Sequence, residues 1–290
     1  MRAVIVGSGP AGVSAALYLA RAGVSVTILS KDGGALLKAD KIENYYGFAE
    51  PISGKELYEQ GLANAKRLGC TVKEEEVIGV SFLNTLAVQT TEATYEAEAV
   101  ILATGASRTA PKIDGLARLE GHGVSYCAIC DAFFYRGKNV AVIGSGEYAL
   151  HEAQTLLPVA GSVTMLTNGA PLTVEVPESI AVDTRKIVSI DGEDAVSGVT
   201  FADGETLAAD GVFVAVGVAS SADLARKLGA LTEGNRIVTN ENGETNLPGL
   251  YAAGDCTGGL LQIAEAVAKG AKAGLAAVRF LREQSGNEVK

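Results

Sequence analysis

The sequence predicts an α/β protein with two domains. The chain has 290 residues, more than the roughly 100–200 residues of a usual single domain. A strand, a glycine-rich turn, a helix and another strand follow one another at the start of the chain, and the same order returns near its middle. The 35 glycines against 7 prolines indicate tight turns and close backbone approaches rather than a flexible linker. Two βαβ units of this kind predict two Rossmann-like domains, each with a parallel sheet.

The first unit lies at the very start of the chain. Residues 3–6 predict a strand, residues 13–22 a helix and residues 24–29 the next strand. The turn before the helix reads Gly7-Ser8-Gly9-Pro10-Ala11-Gly12, a G-x-G-x-x-G pattern. Its first glycine permits the tight turn, the second lets a pyrophosphate approach the backbone, and the third lets helix and strand pack closely. We therefore expect this turn to bind a dinucleotide.

The second unit repeats the pattern. Residues 138–143 predict a strand, residues 150–157 a helix and residues 162–166 the following strand. The turn reads Gly144-Ser145-Gly146-Glu147-Tyr148-Ala149, a G-x-G-x-x-A pattern. Two complete units are far more specific for dinucleotide binding than one, so Gly144, Gly146 and Ala149 are candidates for a second nucleotide site.

Two carboxylates are candidates for holding hydroxyl groups of a bound dinucleotide. An acidic residue usually ends the second strand and holds the ribose. Here Asp32 is the candidate, at a late position after Ser30 and Lys31. Asp255 follows the strand-like residues 249–254, before a Gly/Ala-rich helix predicted from about residue 262 to 282. It either holds a ribityl or ribose hydroxyl or is an N-cap residue, and both interpretations stay open.

Composition excludes several classes of protein. The 34 acidic and 24 basic residues give a net charge of −10, which argues against nucleic-acid binding but does not forbid a local basic patch. The apolar runs are too short to span a membrane. The chain also enters a glycine turn where a signal peptide would hold a continuous apolar stretch. We therefore expect a cytoplasmic protein that binds neither nucleic acid nor membrane.

The stretch Cys127-Ala128-Ile129-Cys130-Asp131 is the most informative part of the sequence. A zinc site would need two further ligands at a matching spacing, which the other cysteines and histidines do not offer, so we expect no metal. A structural disulfide is unusual in a chain without an export signal. A redox dithiol fits best, because a helix start lowers a thiol pKa into a reactive range. Asp131 either returns a proton to a leaving thiolate or is simply solvated, and Cys70 and Cys256 read as small buried residues.

Together these segments resemble the low-molecular-weight thioredoxin reductases. The resemblance covers nearly the whole chain, and the dithiol segment is its most specific part. The segments that carry it are residues 7–12, 123–135, 140–144, 245–249 and 253–255. It implies an FAD-binding domain of residues 1–115 and 243–290. It also implies a smaller NAD(P)-like domain, residues 116–242, that carries the dithiol, so that the second domain is inserted into the first.

The resemblance also implies roles for single residues. Cys130 would face the flavin, Cys127 would attack the disulfide of a thioredoxin-like protein, and Asp131 would act as acid and base. Gln262 would lie near the flavin ring. The implied FAD-binding residues are Gly7, Ser8, Gly9, Pro10, Ala11, Gly12, Asn44, Thr104, Gly105, Gly254, Asp255, Gln262 and Ile263.

The chain departs from the NADPH-using members of this family. They carry a basic, His-Arg-Arg-like cluster after the second strand of the inserted domain, where it holds the 2′-phosphate. Here residues 167–171 read Thr-Asn-Gly-Ala-Pro, and no lysine or arginine occurs between Gly144 and Arg185. Pro171 and Pro177 also disfavour the crossover helix expected next, so the inserted domain looks trimmed. This pattern resembles the ferredoxin-dependent flavin thioredoxin reductases, in which ferredoxin and not NADPH delivers electrons to FAD.

Several alternatives stay open. The intact second turn is either a packing device or holds a second FAD, as in the related diflavin-linked disulfide oxidoreductases, because FAD carries no 2′-phosphate. A flavin-binding redox sensor without turnover is a third hypothesis. The resemblance implies a homodimer. An acidic ferredoxin, or another low-potential donor, would need a basic patch. The candidates for it are Arg136, Lys138, Lys269, Lys272, Arg279 and Arg282.

Overall fold

The computed structural model describes residues 1–82, 84–105, 111–126, 128–217 and 220–287, with the backbone alone at 129, 130 and 287. The chain divides into two compact units. The first comprises Met1–Arg108 and Ser220–Lys290, and the second comprises Thr109–Ala219. Because both ends of the chain belong to the first unit, the second unit is an insertion within it. The predicted fold class, two Rossmann-like α/β domains with the second inserted into the first, is confirmed.

The described residues form six α-helices, three short 3-10 helices and eighteen strands. The helices are α1 (Pro10–Arg21), α2 (Gly54–Arg67), α3 (Ala128–Asp131), α4 (Glu147–Leu156), α5 (Ser221–Lys227) and α6 (Ile263–Asn287). Short 3-10 helices span Gly34–Lys38, Ala132–Tyr135 and Asp255–Thr257. The strands are β1 (Arg2–Val6), β2 (Ser25–Ser30), β3 (Thr71–Glu74), β4 (Val77–Phe82), β5 (Leu86–Thr90), β6 (Thr94–Ala97), β7 (Ala99–Leu102), β8 (Val124–Ser125), β9 (Asn139–Ile143), β10 (Ser162–Leu166), β11 (Ala181–Asp183), β12 (Ile187–Asp191), β13 (Gly198–Phe201), β14 (Thr206–Ala208), β15 (Gly211–Val214), β16 (Thr232–Glu233), β17 (Arg236–Ile237) and β18 (Leu250–Ala252). Within these ranges, no helix has the length and apolar character needed to cross a membrane.

The first unit is built on a five-stranded parallel sheet in the order β18-β7-β1-β2-β3. Helices α1 and α6 pack against each other beside it, at a distance that requires glycine. A Cβ added to Gly270 of α6 would lie 2.1 Å from the carbonyl oxygen of Ala11, and one at Gly274 would lie 2.8 Å from that of Ala15. The small residues predicted for the last helix therefore serve close helix packing. The first unit also contains a three-stranded antiparallel sheet, β4-β5-β6, and a two-stranded antiparallel sheet, β16-β17.

The second unit repeats the architecture on a smaller scale. Its five-stranded parallel sheet has the order β11-β10-β9-β15-β8, and an antiparallel sheet, β12-β13-β14, follows β11 in sequence. The segment between β10 and β11 is fully described and contains no helix, as Pro171 and Pro177 predict. The strand bounds agree closely with the sequence, for example at β9 and β10, because buried β-branched runs mark them clearly.

The bounds predicted for the inserted domain, residues 116–242, are wrong at their second end. Residues 220–242 belong to the first unit. The reason is a long-range hydrogen bond at the start of α5, where the Ser221 amide donates to Oγ1 of Thr104 at 2.9 Å. Ser220 caps this helix through a capping box with Asp223, so α5 begins next to the end of β7.

Candidate active site

The first glycine turn joins β1 to α1 and leaves one glycine open. Gly7 has a φ of +113°, and a Cβ there would lie 2.3 Å from the carbonyl oxygen of Ala103. A Cβ at Gly12 would lie 1.9 Å from the carbonyl oxygen of Gly7, so neither position accepts a larger residue. At Gly9, the N-cap of α1, no described heavy atom lies within 4 Å of the place of a Cβ. The backbone at Gly9 is therefore accessible to a phosphate group beside the first turn of α1.

The other residues of this turn have structural partners of their own. Ser8 is buried, and its Oγ lies 2.9 Å from the hydroxyl of Tyr58. Pro10 occupies the first position of α1, where its missing N–H leaves no hydrogen bond unmade. Ala11 packs closely against Gly254, since a Cβ on that glycine would lie 2.9 Å from the Cβ of Ala11. Their contact with a cofactor stays a prediction.

Thr104 and Gly105 follow the end of β7. The Thr104 amide donates to Oγ of Ser221 at 3.1 Å, and the two hydroxyl oxygens lie 2.7 Å apart. Gly105 has a φ of +78°, a conformation that favours glycine. Ser221 is fully buried and is not among the residues predicted from the sequence. The only local signal for it is the capping-box serine directly before it.

Gly254 and Asp255 follow the end of β18. Gly254 has a φ of +84° and is itself the N-cap of the 3-10 helix that Asp255 begins, so N-capping does not account for Asp255. Burial raises the pKa of the Asp255 carboxyl, and the charge of Lys269 offsets part of that shift. A half-buried carboxylate of this kind is suited to accept hydrogen bonds from hydroxyl groups.

Asn44 and Gln262 are brought together although 218 positions separate them. Nδ2 of Asn44 donates to Oε1 of Gln262 at 2.9 Å. Ile263 follows directly as the first residue of α6. Three of the predicted cofactor-binding residues therefore lie in one place, at the start of the last helix.

The candidate FAD-binding residues share one edge of the first sheet. Gly7, Thr104 and Gly254 lie beyond the carboxyl ends of β1, β7 and β18, which are adjacent parallel strands. Ligands of such sheets bind outside that edge. An open glycine for a pyrophosphate and a half-buried carboxylate for hydroxyl groups fit FAD. When bound, FAD supplies the electron transfer that none of these side chains performs by itself.

The dithiol segment lies in the second unit. Cys127 and the Cys130 side chain lie outside the described part of the chain, whereas the backbone of α3 and the side chain of Asp131 are described. Asp131 is half-buried, and the hydroxyl of Ser125 donates to its Oδ2 at 2.7 Å. Asp131 therefore has a defined orientation, which favours the acid–base interpretation over simple solvation.

A buried carboxylate of α4 binds the start of α3, which contains Cys130 and is called the dithiol helix below. Glu152 is 2% exposed, and its Oε2 accepts the amide of Ala128, the residue after Cys127, at 2.8 Å. The Tyr148 hydroxyl, on the same face of α4, lies 3.5 Å from the carbonyl oxygen of Tyr126. Glu152 is not among the site residues predicted from the sequence. Its position does carry a signal, because Glu152 falls within the apolar stripe of α4, four residues after Tyr148.

The second glycine turn is covered by the chain itself. A Cβ at Gly144 would lie 2.3 Å from the carbonyl oxygen of Ala215 and 2.6 Å from the Cβ of Ala149. At Gly146 the place of a Cβ lies 3.2 Å from Oγ1 of Thr173. The Thr173 amide and hydroxyl both donate to the carbonyl oxygen of Ser145, at 2.9 and 3.2 Å. Gly144 and Ala149 thus pack helix against strand, whereas the surface that is open at Gly9 is occupied at Gly146.

Arg185 is the first basic residue after the second turn and is already paired. Its Nη2 lies 2.6 Å from Oδ2 of Asp183, and its Nη1 lies 3.1 Å from Oδ2 of Asp203. The guanidinium carbon lies 4.0 Å from the ring centre of Phe201. The hydrogen bonds from Arg185 lower the pKa of Asp183. Arg185 therefore stabilises the β11–β13 region.

The two remaining cysteines are buried free thiols, as predicted. Burial raises the pKa of Cys70, and it raises the pKa of Cys256 to about 11. Cys256 donates to the carbonyl oxygen of Ala253 at 3.3 Å. Neither thiol has the low pKa of a nucleophile.

Two Rossmann-like units, an open glycine turn and a C-x-x-C segment beside an oriented carboxylate are the features of a flavin-dependent disulfide oxidoreductase. Comparison with known proteins gives the same class. Residues 1–270 match the family described as pyridine nucleotide-disulphide oxidoreductase. The chain belongs to this family.

Individual relatives narrow the class to proteins similar to thioredoxin reductases. The thioredoxin reductase of Mycolicibacterium smegmatis is 36% identical over 97% of this chain and 96% of its own length. The atypical thioredoxin reductase TRi from Desulfovibrio vulgaris Hildenborough is 42% identical, with a TM-score of 0.93 over 97% of this chain and 98% of that one. A ferredoxin-flavin thioredoxin reductase from Clostridium acetobutylicum is 33% identical, with a TM-score of 0.72 over 97% and 99%. The resemblance inferred from the sequence motifs is confirmed.

Proposed function

We propose that this protein is a disulfide reductase of thioredoxin-reductase type whose electrons come from a low-potential donor such as ferredoxin and not from NADPH. The observation that carries the proposal is the position of Thr173 on the second glycine turn. A nicotinamide dinucleotide bound there would place its pyrophosphate against the middle glycine. Oγ1 of Thr173 already lies 3.2 Å from the place of a Cβ on Gly146.

The contrast between the two turns supports this proposal. Both have the same glycine spacing, yet Gly9 has no described heavy atom within 4 Å of the place of its Cβ, and Gly146 has Thr173. The second turn keeps its pattern because Gly144 and Ala149 are needed for packing. This supports the packing-device hypothesis over a second FAD, whose pyrophosphate would need the same surface.

Charge supports the same conclusion. A 2′-phosphate is held by arginine or lysine. The sequence has neither between Gly144 and Arg185, and Arg185 is paired with Asp183 and Asp203. Two similar proteins of known structure fit this conclusion, since one is an atypical thioredoxin reductase and the other a ferredoxin-flavin thioredoxin reductase. Other relatives are called thioredoxin reductase without further qualification, so the covered turn is the stronger support.

The proposed chemistry uses Cys127, Cys130 and Asp131 in the roles implied by the family. The Cys127 thiolate attacks the acceptor disulfide and forms a mixed disulfide, and the departing acceptor sulfur takes a proton from Asp131. The Asp131 carboxylate then removes the proton of Cys130. The Cys130 thiolate attacks the Cys127 sulfur, which closes the pair and releases the second acceptor sulfur, protonated by solvent. Two electrons have then passed to the acceptor, and the donor restores the dithiol by way of the bound FAD.

Two exposed aromatic side chains after the dithiol support the proposal that the disulfide being reduced belongs to a protein. Phe133 is 71% exposed and Phe134 is 66% exposed. The Arg136 guanidinium lies 5.5 Å from the ring centre of Phe133. Exposed apolar side chains next to a reactive pair are suited to cover the rim of a protein disulfide, as in a thioredoxin-like partner.

A steady-state assay tests this function. The wild-type holoenzyme is given oxidised thioredoxin and, in parallel, NADPH, NADH or photoreduced ferredoxin, and the thiols formed are counted. We expect thiols with ferredoxin alone. Equal turnover with NADPH would overturn the donor assignment, and no thiols with any donor would favour the redox-sensor hypothesis. The homodimer and the cytoplasmic location stay predictions from the sequence.

A further inference from the structure

The first unit lacks the acidic residue that normally ends the second strand and holds the ribose of a dinucleotide. β2 ends at Ser30 and is followed by Lys31 and Asp32. Oδ1 of Asp32 accepts the Gly34 amide at 2.8 Å, and the Asp32 carbonyl oxygen accepts the Ser30 hydroxyl at 2.5 Å. Asp32 therefore closes the turn after β2, and the ribose needs another partner.

Glu76 lies at the same edge of the sheet, one strand further along. β3 pairs in parallel with β2, with Glu74 opposite Ser30, and Glu76 follows two residues later. The Glu76 residue is 7% exposed, and its Oε2 lies 2.5 Å from Nζ of Lys31. Its Oε1 is buried and has no hydrogen-bond partner within the described part of the chain.

A buried carboxylate oxygen without a donor is costly, because the water it has lost is not replaced. An ionised carboxylate only accepts hydrogen bonds, so the partner missing at Glu76 is a donor. The oxygen also lies near the carboxyl edge, outside which ligands of parallel sheets bind. These three observations point to a hydroxyl-bearing ligand.

We propose that Glu76 takes the place of the missing acidic residue, with Oε1 accepting a hydrogen bond from a hydroxyl of the adenosine ribose of FAD and Lys31 holding Oε2. In Rossmann-like units the adenosine lies on the β2 side of the glycine turn. β3 and Glu76 lie on that side, since the strand order is β1-β2-β3. The negative charge of Glu76 would repel a phosphorylated ribose, which suits FAD. The inference rests on FAD binding and not on the identity of the electron donor.

The test is titration of the apoprotein with FAD, followed by flavin fluorescence, for the wild type, Glu76→Ala and Glu74→Ala. Glu74 is an exposed glutamate on the same part of the chain and serves as the matched control. The side chain of Lys31 is 54% exposed, so it can reach solvent when its partner is removed. We expect Glu76→Ala to bind FAD about 10- to 100-fold more weakly, the range of a charge-assisted hydrogen bond, and Glu74→Ala to bind like the wild type.

A second ligand keeps the test independent of folding. An FAD analogue that lacks the 2′-hydroxyl of the adenosine ribose, and one that lacks the 3′-hydroxyl, are titrated into the same proteins. We expect one of the two analogues to bind the wild type as weakly as FAD binds Glu76→Ala. The same analogue should bind Glu76→Ala no more weakly than FAD does, because the hydrogen bond is already absent there. Unchanged FAD affinity in Glu76→Ala would overturn the proposal. The proposal would also be overturned if the wild type bound FAD and both analogues with equal affinity. It would likewise be overturned if the loss of affinity from the analogue and the loss from Glu76→Ala simply added, because the hydrogen-bond donor to Glu76 would then not be a ribose hydroxyl.

Discussion

The amide of Thr173 donates a hydrogen bond to the carbonyl oxygen of Ser145 at 2.9 Å, which fastens the segment after β10 onto the second glycine turn. In the first unit, no heavy atom of the described residues lies within 4 Å of the place of a Cβ on Gly9. Two turns that share the G-x-G spacing therefore present different surfaces. We expect the first surface to bind a pyrophosphate and the second to bind none, so the same substitution should affect the two turns differently.

Substitution of the middle glycine by alanine should affect FAD binding in the first turn but not in the second. Both glycines have extended backbone angles that alanine adopts without strain. We expect Gly9→Ala to fold but to lose most of its FAD, because a methyl group blocks the pyrophosphate. Gly146→Ala should keep one FAD per chain and full turnover. The measurement is flavin absorbance per chain after purification. Two flavins in the wild type, or one lost in Gly146→Ala, would favour the diflavin alternative.

Glu152 should be needed for the position of the dithiol helix. Glu152→Ala leaves the Ala128 amide without its acceptor, so we expect a loss of about 1–3 kcal/mol in the free energy of unfolding, together with slower disulfide reduction. Glu152→Gln keeps an acceptor oxygen and should lose less. The exposed Glu147 on the same helix provides the control, Glu147→Ala, which should change stability by no more than about 0.5 kcal/mol. If urea unfolding shows that Glu152→Ala loses no more free energy of unfolding than Glu147→Ala, Glu152 does not hold the dithiol helix.

Arg185 should contribute to stability and not to donor choice. Its hydrogen bonds hold the pKa of Asp183 below the usual value of 3.8. The pairing therefore stabilises the fold above about pH 4, and this contribution disappears as the pH falls through the lowered pKa. We expect Arg185→Met to lower the unfolding midpoint at pH 7 more than Lys186→Met does, with the gap closing in acid. A change in the relative use of NADPH and ferredoxin by Arg185→Met would contradict a purely structural role.

Cys127→Ser should distinguish an enzyme from a sensor. We expect this variant to bind FAD normally and to reduce no thioredoxin, since the attacking sulfur is absent. Cys70→Ser serves as the control, because Cys70 is a buried free thiol far along the chain from the dithiol. If Cys127→Ser formed thiols at the wild-type rate, the dithiol would not take part in the reaction.

Much of the fold was predictable because its signals are local. The two strand–turn–helix–strand units and the absence of a helix between β10 and β11 are encoded in short patterns of β-branched, glycine and proline residues. The burial of Cys70 and Cys256 follows the usual preference of a free cysteine for the protein interior. The family resemblance predicts both Asn44 and Gln262 as site residues, and the structure shows them hydrogen-bonded to each other.

The remaining features depend on contacts between distant parts of the chain. Thr173 is hydrogen-bonded to Ser145, 28 positions away, and Ser221 to Thr104, 117 positions away. The second contact places the end of the inserted unit before Ser220 and not at residue 242. Glu76 looks like an ordinary surface glutamate in a charged sequence, and only the packing of β3 beside β2 buries it. Glu152 lies within the apolar stripe of α4, but its contact with the Ala128 amide depends on the packing of α4 beside α3. No periodicity within one element encodes such a contact.

Anaerobic rapid mixing shows whether NADPH or ferredoxin reduces the flavin. The oxidised holoenzyme is mixed with excess NADPH or with reduced ferredoxin, and the visible flavin absorbance is followed through several turnover times. We expect NADPH to leave the flavin oxidised and ferredoxin to bleach it at least as fast as turnover. Bleaching by micromolar NADPH at the turnover rate would show that a nucleotide reaches the flavin despite Thr173, and would overturn the proposed choice of donor.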